Sequence, residues 1–192
     1  YHAGFVLGPR INAGGRIGDP WLATELLAAT SFEAALPIAE KLHRLNEDRK
    51  EMEARILAAA KIQVSKQVDA DPGLSVAIVD GEGWHPGVIG IVAGRLKDEF
   101  LIPVIVIGWG DDLGPVAKGS ARSIPGINIG NAISSAKEEG LLLSGGGHAM
   151  AGGLSVEPEK IQAFREWMTT RIAPETKAVS DARNVQIDLD IL

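Results

Sequence analysis

Four short segments combine glycine with an arginine, a lysine or a histidine, and they are the segments in which we expect chemistry. Their sequences are GPRINAGGR, GEGWHPGVIG, KGSARS and SGGGHAMAGG. Glycine lets the backbone approach a ligand closely, and the basic side chains supply hydrogen-bond donors and positive charge. Acidic residues lie mainly in other parts of the chain. The composition of these segments therefore favours an anionic ligand such as a phosphate.

The segment SGGGHAMAGG, residues 144–153, carries the strongest of these signals. Gly145, Gly146 and Gly147 are consecutive, which predicts a loop whose successive N–H groups turn toward one anion. His148 follows the triplet and adds a donor or a cation. The alternative is a tight turn beside a buried structural histidine, and composition alone leaves both interpretations open.

The segment KGSARS places Ser120 and Arg122 two residues apart on a predicted strand. Side chains two residues apart on a strand leave the same face, so the hydroxyl and the guanidinium are expected side by side. That pair suits one phosphate, because arginine binds phosphate with two parallel hydrogen bonds and serine adds a neutral donor. The alternative is an exposed strand with an ordinary surface arginine.

The segment GPRINAGGR holds Arg10 and Arg16 within residues 4–19, where glycine, proline and asparagine predict backbone without a regular element. The two arginines are candidates for binding an anion. They are equally suited to clamping two domains together through carboxylates or carbonyl oxygens.

The segment GEGWHPGVIG follows a predicted strand and opens a predicted helix, with His85 just before the helix. His85 is a candidate for contacting a ligand beyond the end of the strand, or it simply caps the helix. The spacing of Gly81, Gly83 and Gly87 is one residue too long for a dinucleotide-binding loop, and no acid ends the next predicted strand. NAD and FAD are therefore not expected as ligands.

No metal site is predicted within the chain. Its four histidines have no carboxylate at ligand spacing, and it has no cysteine to supply a thiolate. A set of serine, histidine and aspartate arranged for nucleophilic catalysis is also not recognisable.

Composition and charge limit the possible classes of protein. The chain has 192 residues and a net charge of -6, which argues against coating nucleic acid through bulk positive charge but permits a local basic groove. No apolar run approaches the ~20 residues of a membrane span, and no signal pattern begins the chain. Together with the lack of cysteine, this favours a protein of the cytoplasm that is not in a membrane.

The pattern of hydrophobic residues predicts an α/β domain after a helical segment. From Trp21 to about Lys66 the spacing is helical, and the second helix of that stretch could reach ~45 Å. Strands are predicted at SVAIVD, PVIVIGW, PVAKGSARS and AGGLSVE, and helices at PGVIGIVAGRLKDEF, NIGNAISSAKEEG and PEKIQAFREWMTTRIA. The fold class that follows is a mixed, mostly buried sheet with flanking helices, preceded by a long connecting helix.

The four glycine-rich segments, taken in order, resemble motifs of the RecJ family, the single-stranded-DNA-specific exonucleases of the DHH phosphoesterase superfamily. GFVLGPRINAGGRIGD, EGWHPGVIGIVAGRL, KGSARSI and GGGHAMAGGL carry this resemblance, which runs over nearly the whole chain. GGGH alone resembles the broader DHH-associated domain. The chain is expected to be part of a longer protein, because it begins with Tyr1 and its last segment, VQIDLDIL, looks like a strand without a partner.

The resemblance implies an organisation and an activity. Residues 1–70 would form an interdomain segment with the connecting helix, 71–175 the DHH-associated domain, and 176–192 the start of an OB-like domain. The whole protein would degrade single-stranded DNA from 5′ to 3′ in recombination and repair. It would use Mn²⁺ or Mg²⁺ held by a preceding DHH domain outside this chain, so that the chain alone binds no metal and is inactive.

The resemblance also implies roles for the candidate residues. Ser120 and Arg122 would contact the 5′-terminal phosphate region, and the glycine triplet with His148 would hold phosphate near the scissile bond. Arg10 and Arg16 would face the cleft between domains.

Partners and alternatives follow from the same resemblance. Single-stranded DNA is the expected ligand, and a single-strand-binding protein and a recombination helicase are candidate partners. A related phosphoesterase acting on short oligonucleotides or cyclic dinucleotides, and a noncatalytic nucleic-acid-binding or scaffolding module, remain as alternatives.

Overall fold

The structure is a computed structural model, and it describes residues 1–110 and 114–183. A π-helix, His2–Leu7, is followed by the helices α1, Gly8–Ile17, α2, Leu22–Ala28, and α3, Phe32–Ala70. The rest of the chain forms β1, Ala77–Glu82, α4, Pro86–Phe100, β2, Val104–Trp109, β3, Ala117–Arg122, α5, Ile129–Glu138, β4, Ser144–His148, β5, Ala151–Val156, a 3₁₀ turn, Pro158–Lys160, and α6, Ile161–Arg183.

The chain is helical from His2 to Ile17, so the prediction that residues 4–19 lack a regular element is wrong. Pro9 lies in the first turn of α1, where a proline costs no hydrogen bond. Gly14 and Gly18 allow α1 to approach α3, because a β-carbon at Gly14 would lie 3.2 Å from Leu42 Cδ2 and one at Gly18 would lie 2.8 Å from Leu45 Cδ1. The glycines here serve close helix packing, which outweighs their weak helix propensity.

The long connecting helix, α3, is confirmed and is longer than predicted. It begins after Ser31, whose Oγ accepts a hydrogen bond from the Ala34 N–H at 3.2 Å. Its 39 residues correspond to about 58 Å at the usual rise per residue. Leu42, Ile56 and Val64 are among its fully buried side chains, so it is anchored along much of its length.

The five strands form one mixed sheet in the order β1-β2-β3-β5-β4. β1 and β2 are parallel, while β3, β5 and β4 pair in antiparallel fashion. Helices cover the sheet on both sides, with α3 and α4 on one face and α5 and α6 on the other. This agrees with the predicted fold class of a mixed, mostly buried sheet with flanking helices.

Each face of the sheet has its own hydrophobic core. Ile105 and Ile107 pack with Phe164 under α5 and α6, and Val104 and Val106 pack with α3 and α4 on the other side. Successive residues of β2 thus point to opposite cores, as the pleat of a strand requires. Both cores therefore exclude water from β2, which is buried on both faces.

The outer edge of β1 is closed by side chains of α3. Gln67 donates to the Ile78 carbonyl oxygen at 2.8 Å and accepts from the Ile78 N–H at 3.2 Å. Gln63 does the same at Asp80, at 2.7 and 3.3 Å. Each amide side chain therefore replaces one residue of a missing neighbouring strand, and this removes an edge that could pair with another chain.

The last helix, α6, crosses the domain boundary that we predicted between residues 175 and 176. Pro174 lies inside α6, and a proline usually marks a helix end in a sequence. Beyond it, Thr176 donates to the Ser75 carbonyl oxygen at 3.0 Å, and Val179 packs on the core. These contacts continue the helix to Arg183.

The segment VQIDLDIL, predicted to begin an OB-like domain, lies outside the described residues. Within the described part of the chain, no helix is both long enough and apolar enough to cross a membrane.

Candidate nucleic-acid interface on the open face of the sheet

Nine residues of β3, β5 and β4 share the face of the sheet on which α4 lies. The strand registers align them in three rows across the strands. The rows are Lys118, Ser155 and Ser144; then Ser120, Gly153 and Gly146; then Arg122, Ala151 and His148. These nine positions hold two cations, an imidazole and three hydroxyls, and none of them is a carboxylate. We call this set of nine residues the open face.

Ser120 and Arg122 lie together, as their spacing predicts. The Arg122 Nη1 group donates to Ser120 Oγ at 3.1 Å and to the Ala121 carbonyl oxygen at 2.7 Å. Helix α4 packs closely against these two side chains at Gly90. A β-carbon there would lie 3.0 Å from Ser120 Oγ and 3.1 Å from Arg122 Nη2. Both side chains are half-buried, and these contacts orient them toward each other.

The glycine triplet is a strand, and the predicted anion-binding loop is wrong. Gly145, Gly146 and Gly147 belong to β4 and pair with β5, and none of them has a positive φ. Successive N–H groups of an extended strand point in opposite directions, so they cannot converge on one anion.

The triplet instead divides between the two faces of the sheet. A β-carbon at Gly145 would lie 2.7 Å from Ile133 Cγ2 of α5, and one at Gly147 would lie 2.3 Å from the Ala151 carbonyl oxygen. A β-carbon at Gly146 would meet nothing within 4 Å, and one at Gly153 would meet only a single atom at 4.0 Å. Gly146 and Gly153 therefore form a bare floor in the middle row of the open face.

His148 ends β4 on the same face as Arg122, with Ala151 between them. Its side chain is exposed, so the alternative of a buried structural histidine is wrong. The following turn is held in place from both sides, because the Ser123 N–H donates to the Met150 carbonyl oxygen at 2.9 Å and the Ile129 N–H to that of Ala149 at 3.1 Å. The imidazole is thus free to meet a ligand on a fixed backbone.

Lys118 is a residue of the open face that sequence reasoning missed. It lies on β3 four residues before Arg122, and its Nζ donates to Ser155 Oγ at 2.9 Å. The signal was present in the alternation of KGSAR, which sends Lys118, Ser120 and Arg122 to one face.

His85 and Arg16 lie at the first turn of α4. His85 caps the helix, since its Nδ1 accepts a hydrogen bond from the Gly87 N–H at 3.0 Å. Arg16 lies in the last turn of α1 and donates from Nη1 to the Gly87 carbonyl oxygen at 3.2 Å. The capping role considered for His85 is therefore confirmed. Arg16 is exposed and links the N-terminal helices to the helix that borders Ser120 and Arg122.

Arg10 is not brought to the open face. It donates from Nη1 to the Val6 carbonyl oxygen at 2.7 Å and from Nε to His43 Nδ1 at 3.3 Å. Its contacts hold the π-helix, α1 and α3 together.

The loop before α4 is filled by a side chain of the chain itself. Trp84 is buried, and a β-carbon at Gly81 would lie 2.1 Å from its indole, while one at Gly108 would lie 1.8 Å from its carbonyl oxygen. The indole thus occupies the space beside Gly81 at the end of β1.

The described residues do not offer a site for a divalent metal ion. In residues 1–110 and 114–183, no group of three or more histidine or acidic side chains is placed to hold an ion. Asp80, a carboxylate near the strand ends, pairs with Arg165 at 2.6 Å and accepts from Trp109 Nε1 at 3.0 Å. The open face, by contrast, presents hydrogen-bond donors and positive charge.

Comparison with known proteins shows similarity in sequence. The DHHA1 domain family matches residues 71–173. The single-stranded-DNA-specific exonuclease RecJ of Bacillus subtilis (strain 168) is 37% identical over 187 residues, 97% of this chain and 23% of that protein. RecJ of Escherichia coli (strain K12) is 38% identical over 168 residues, 85% of this chain and 28% of that protein. The chain thus spans about a quarter of the length of these curated relatives.

Two solved structures show the same fold. A crystal structure of the exonuclease RecJ bound to manganese matches with a TM-score of 0.79 and 31% identity, over 96% of this chain and 43% of that one. RecJ from Thermus thermophilus in complex with Mg²⁺ matches with a TM-score of 0.78 and 32% identity, over 90% of this chain and 26% of that one. These matches confirm the predicted fold class and the resemblance that the glycine-rich segments indicated.

Proposed function

The chain belongs to the DHHA1 domain family, and on that premise we propose that it is the substrate-binding part of a 5′-to-3′ exonuclease for single-stranded DNA. The observation that carries the proposal is the composition of the open face, which gathers Lys118, Arg122 and His148 without a carboxylate in a chain of net charge -6. Such a local concentration of donors suits a sugar-phosphate strand.

We assign Arg122 and Ser120 to the 5′-terminal phosphate of the strand. The two side chains are already joined at 3.1 Å, so a phosphate would meet a guanidinium and a hydroxyl without rearrangement. A terminal phosphate carries more charge than an internal one, and this favours the guanidinium over a neutral donor.

We assign Gly146 and His148 to the phosphate near the scissile bond. Because Gly146 has no side chain, the backbone of a DNA strand can lie close to the sheet there. The exposed imidazole of His148 can donate a hydrogen bond to that DNA backbone from the next row. Gly145 and Gly147 support this arrangement from the covered side, because their missing β-carbons leave room for Ile133 and for the β5 backbone.

We place Arg16, His85 and Arg10 outside the group that grips phosphate in the open face. Arg16 and His85 position the first turn of α4, and Arg10 fixes the N-terminal helices. Arg16 and Arg10 would face the cleft toward the preceding domain in the longer protein.

Hydrolysis would use Mn²⁺ or Mg²⁺ held outside this chain, in a preceding DHH domain. Divalent ions supply an activated water and neutralise developing charge in phosphodiester hydrolysis. The described residues do not fit as ligands, so the chain by itself would bind the strand without cleaving it.

The N-terminal helices are suited to contact that preceding domain. Large hydrophobic side chains that are exposed include Trp21 at 68%, Leu27 at 75% and Phe32 at 72% of their surfaces. Apolar side chains at this density favour burial against another protein surface.

The test uses the full-length protein carrying Arg122→Ala. Binding of single-stranded DNA with a 5′-phosphate should weaken about 10- to 100-fold, because a charge-assisted pair is lost, whereas binding of the same strand with a 5′-hydroxyl should weaken less. Arg171→Ala on α6, a matched removal of an arginine on the other side of the sheet, should change neither. Equal weakening of both strands would remove the role assigned to Arg122.

A second variant, His148→Ala, separates this function from metal binding. Turnover should fall while the bound metal content of the full-length protein stays unchanged, which inductively coupled plasma measurements can check. Loss of metal would show that His148 is misassigned.

Substrate length distinguishes the alternative functions. An enzyme for short oligonucleotides or cyclic dinucleotides would prefer them over long DNA strands, and a scaffold would hydrolyse none of these substrates.

We further infer that the longer protein works in the cytoplasm in recombination and repair. A single-strand-binding protein and a recombination helicase would deliver its substrate.

A further inference from the structure

Lys118 occupies a position on the open face that the assignments above leave unused. Its side chain is exposed, and its Nζ is held by Ser155 Oγ at 2.9 Å, although Ser155 itself is buried with 7% of its surface exposed. Ser144 lies next to Ser155 in the same row. A cation and two hydroxyls thus form a row of their own at the end of the open face opposite Arg122.

The two cations of β3 are bound to different hydroxyl groups in the arrangement observed. The backbones of Lys118 and Arg122 are separated by four residues, which is about 13 Å along a strand. Lys118 reaches sideways to Ser155, the residue directly across from it on β5, while Arg122 turns back toward Ser120. Each cation is therefore held by a different serine, Lys118 within its own row and Arg122 toward the middle row.

On β5 and β4, the middle row between them is the bare floor. A strand that lies across Gly146 and Gly153 would pass from the Arg122 row to the Lys118 row without meeting a side chain on β4 or β5. The face therefore has room for a second phosphate of the same strand.

We propose that Lys118, with Ser155 and Ser144, forms a second anion subsite that binds an internal phosphate of the strand whose terminal phosphate lies at Arg122. The proposal rests on the proposed function and narrows its ligand to a DNA strand that has an internal phosphate as well as a terminal one. A nucleoside monophosphate would occupy the Arg122 row alone. The ammonium group provides the charge, and the two hydroxyls provide neutral donors.

The experiment measures the binding of 5′-phosphorylated single-stranded DNA to the full-length protein in EDTA, over a range of salt concentrations. Lys118→Gln should weaken binding about three- to tenfold and reduce the slope of log K against log salt by about 0.7, the value for one phosphate contact on a single strand. Lys118→Arg should keep most of the affinity and the slope. Lys137→Gln on α5, which removes the same charge on the other side of the sheet, should change neither.

DNA strands in which a single linkage is a neutral methylphosphonate show which phosphate Lys118 contacts. When that linkage is the one bound by Lys118, Lys118→Gln should no longer weaken binding of the DNA. Arg122→Ala should still weaken binding of the same DNA strand. If both effects disappear at the same linkage, the two cations share one phosphate and the second subsite is wrong.

The outcomes separate this proposal from the function on which it rests. Normal binding by Lys118→Gln together with weak binding by Arg122→Ala would overturn the subsite and leave the proposed function in place. Normal binding by both variants would overturn the proposed function as well. Lys118 is exposed, so substitution is not expected to unfold the protein, and an unchanged melting temperature checks this.

Discussion

The two halves of the sheet differ in how completely they are covered. Around β1 and β2, helices lie on both faces, and Gln63 and Gln67 occupy the hydrogen-bonding groups of the outer edge. Around β5 and β4, α5 covers one face, and the other face is bare at Gly146 and Gly153. The first half satisfies its own polar groups, whereas the second presents a face of donors on which a ligand can lie.

This difference shows that the glycines of the segment SGGGHAMAGG have two different physical explanations, depending on the face of the sheet. On the covered side of β4 and β5, glycine is required because the protein itself occupies the space of a β-carbon. On the open side that space is empty, so folding does not explain the glycine and a ligand would. The glycine variants predicted below test this distinction by adding the same methyl group on either side.

The largest effect is expected at Gly147. A β-carbon there would lie 2.3 Å from the Ala151 carbonyl oxygen and 2.5 Å from Gly152 Cα, and both are backbone atoms of the paired strand. Gly147→Ala should therefore lower the free energy of unfolding by about 3 kcal/mol, because the pairing of β4 with β5 must shift. Urea denaturation measures this. A variant as stable as the parent protein would show that the two faces of β4 do not differ as described.

A smaller loss in the free energy of unfolding is expected at the outer edge of β1, where Gln67 binds the backbone. Gln67→Ala removes both hydrogen bonds that α3 makes with Ile78, which should cost about 2 kcal/mol, although the Ile78 carbonyl oxygen keeps the Arg165 Nε donor at 3.2 Å. Gln67→Glu is the matched variant, since a carboxylate still accepts from the Ile78 N–H but sets a second oxygen against the Ile78 carbonyl oxygen, which repels it. It should cost at least as much as Gln67→Ala. A Gln67→Glu variant as stable as the parent protein would show that the hydrogen bond from Gln67 to the carbonyl oxygen contributes nothing.

The next effect tests whether the covered face is crowded by a side chain. A β-carbon at Gly152 would lie 2.5 Å from Ile133 Cδ1, and Ile133→Val removes that atom. Gly152→Ala alone should cost about 1.5 kcal/mol, and the double variant should cost less than the sum of the two single variants. Thermal unfolding of all four proteins measures the coupling. Strict additivity would show that α5 does not limit the residue at position 152.

Most of the covered half could be predicted from the sequence. The runs SVAIVD and PVIVIGW are continuous and apolar, a pattern typical of buried parallel strands, and they became β1 and β2. The helix PGVIGIVAGRLKDEF was found with its bounds, because Pro86 and the preceding His85 mark its start. Long apolar patterns therefore allow a buried strand or helix to be predicted without knowledge of its partners in the fold.

The glycine-rich parts could not be predicted in the same way. In β4 and in α1, glycine has a weak local propensity, and the structure is decided by partners distant in sequence, such as Ile133 for Gly145 and Leu42 for Gly14. The pairing of Ser120 with Arg122 followed from a spacing of two residues. The row that joins Arg122 to His148 depends on strand register, which a single sequence does not reveal.

The smallest effect on stability, and the most informative for function, is expected at Gly146. Gly146→Ala adds its methyl group to empty space on the open face, and alanine loses less conformational freedom than glycine on folding. The free energy of unfolding should therefore stay the same or rise by about 0.5 kcal/mol. Binding of single-stranded DNA to the full-length protein should nevertheless weaken about fivefold or more, because the methyl group stands where the strand must approach.

Gly153→Ala is the companion variant on β5, and it should behave as Gly146→Ala does, since both residues form the floor between the Arg122 row and the Lys118 row. Fluorescence anisotropy with a labelled strand measures the affinity, and urea denaturation of the same preparations measures the stability. If both variants bind DNA as tightly as the parent protein, the strand does not cross the floor, and the bare half of the sheet has a different reason for its glycines. If both lose stability instead, these positions are as crowded as Gly147, and the contrast between the two faces disappears.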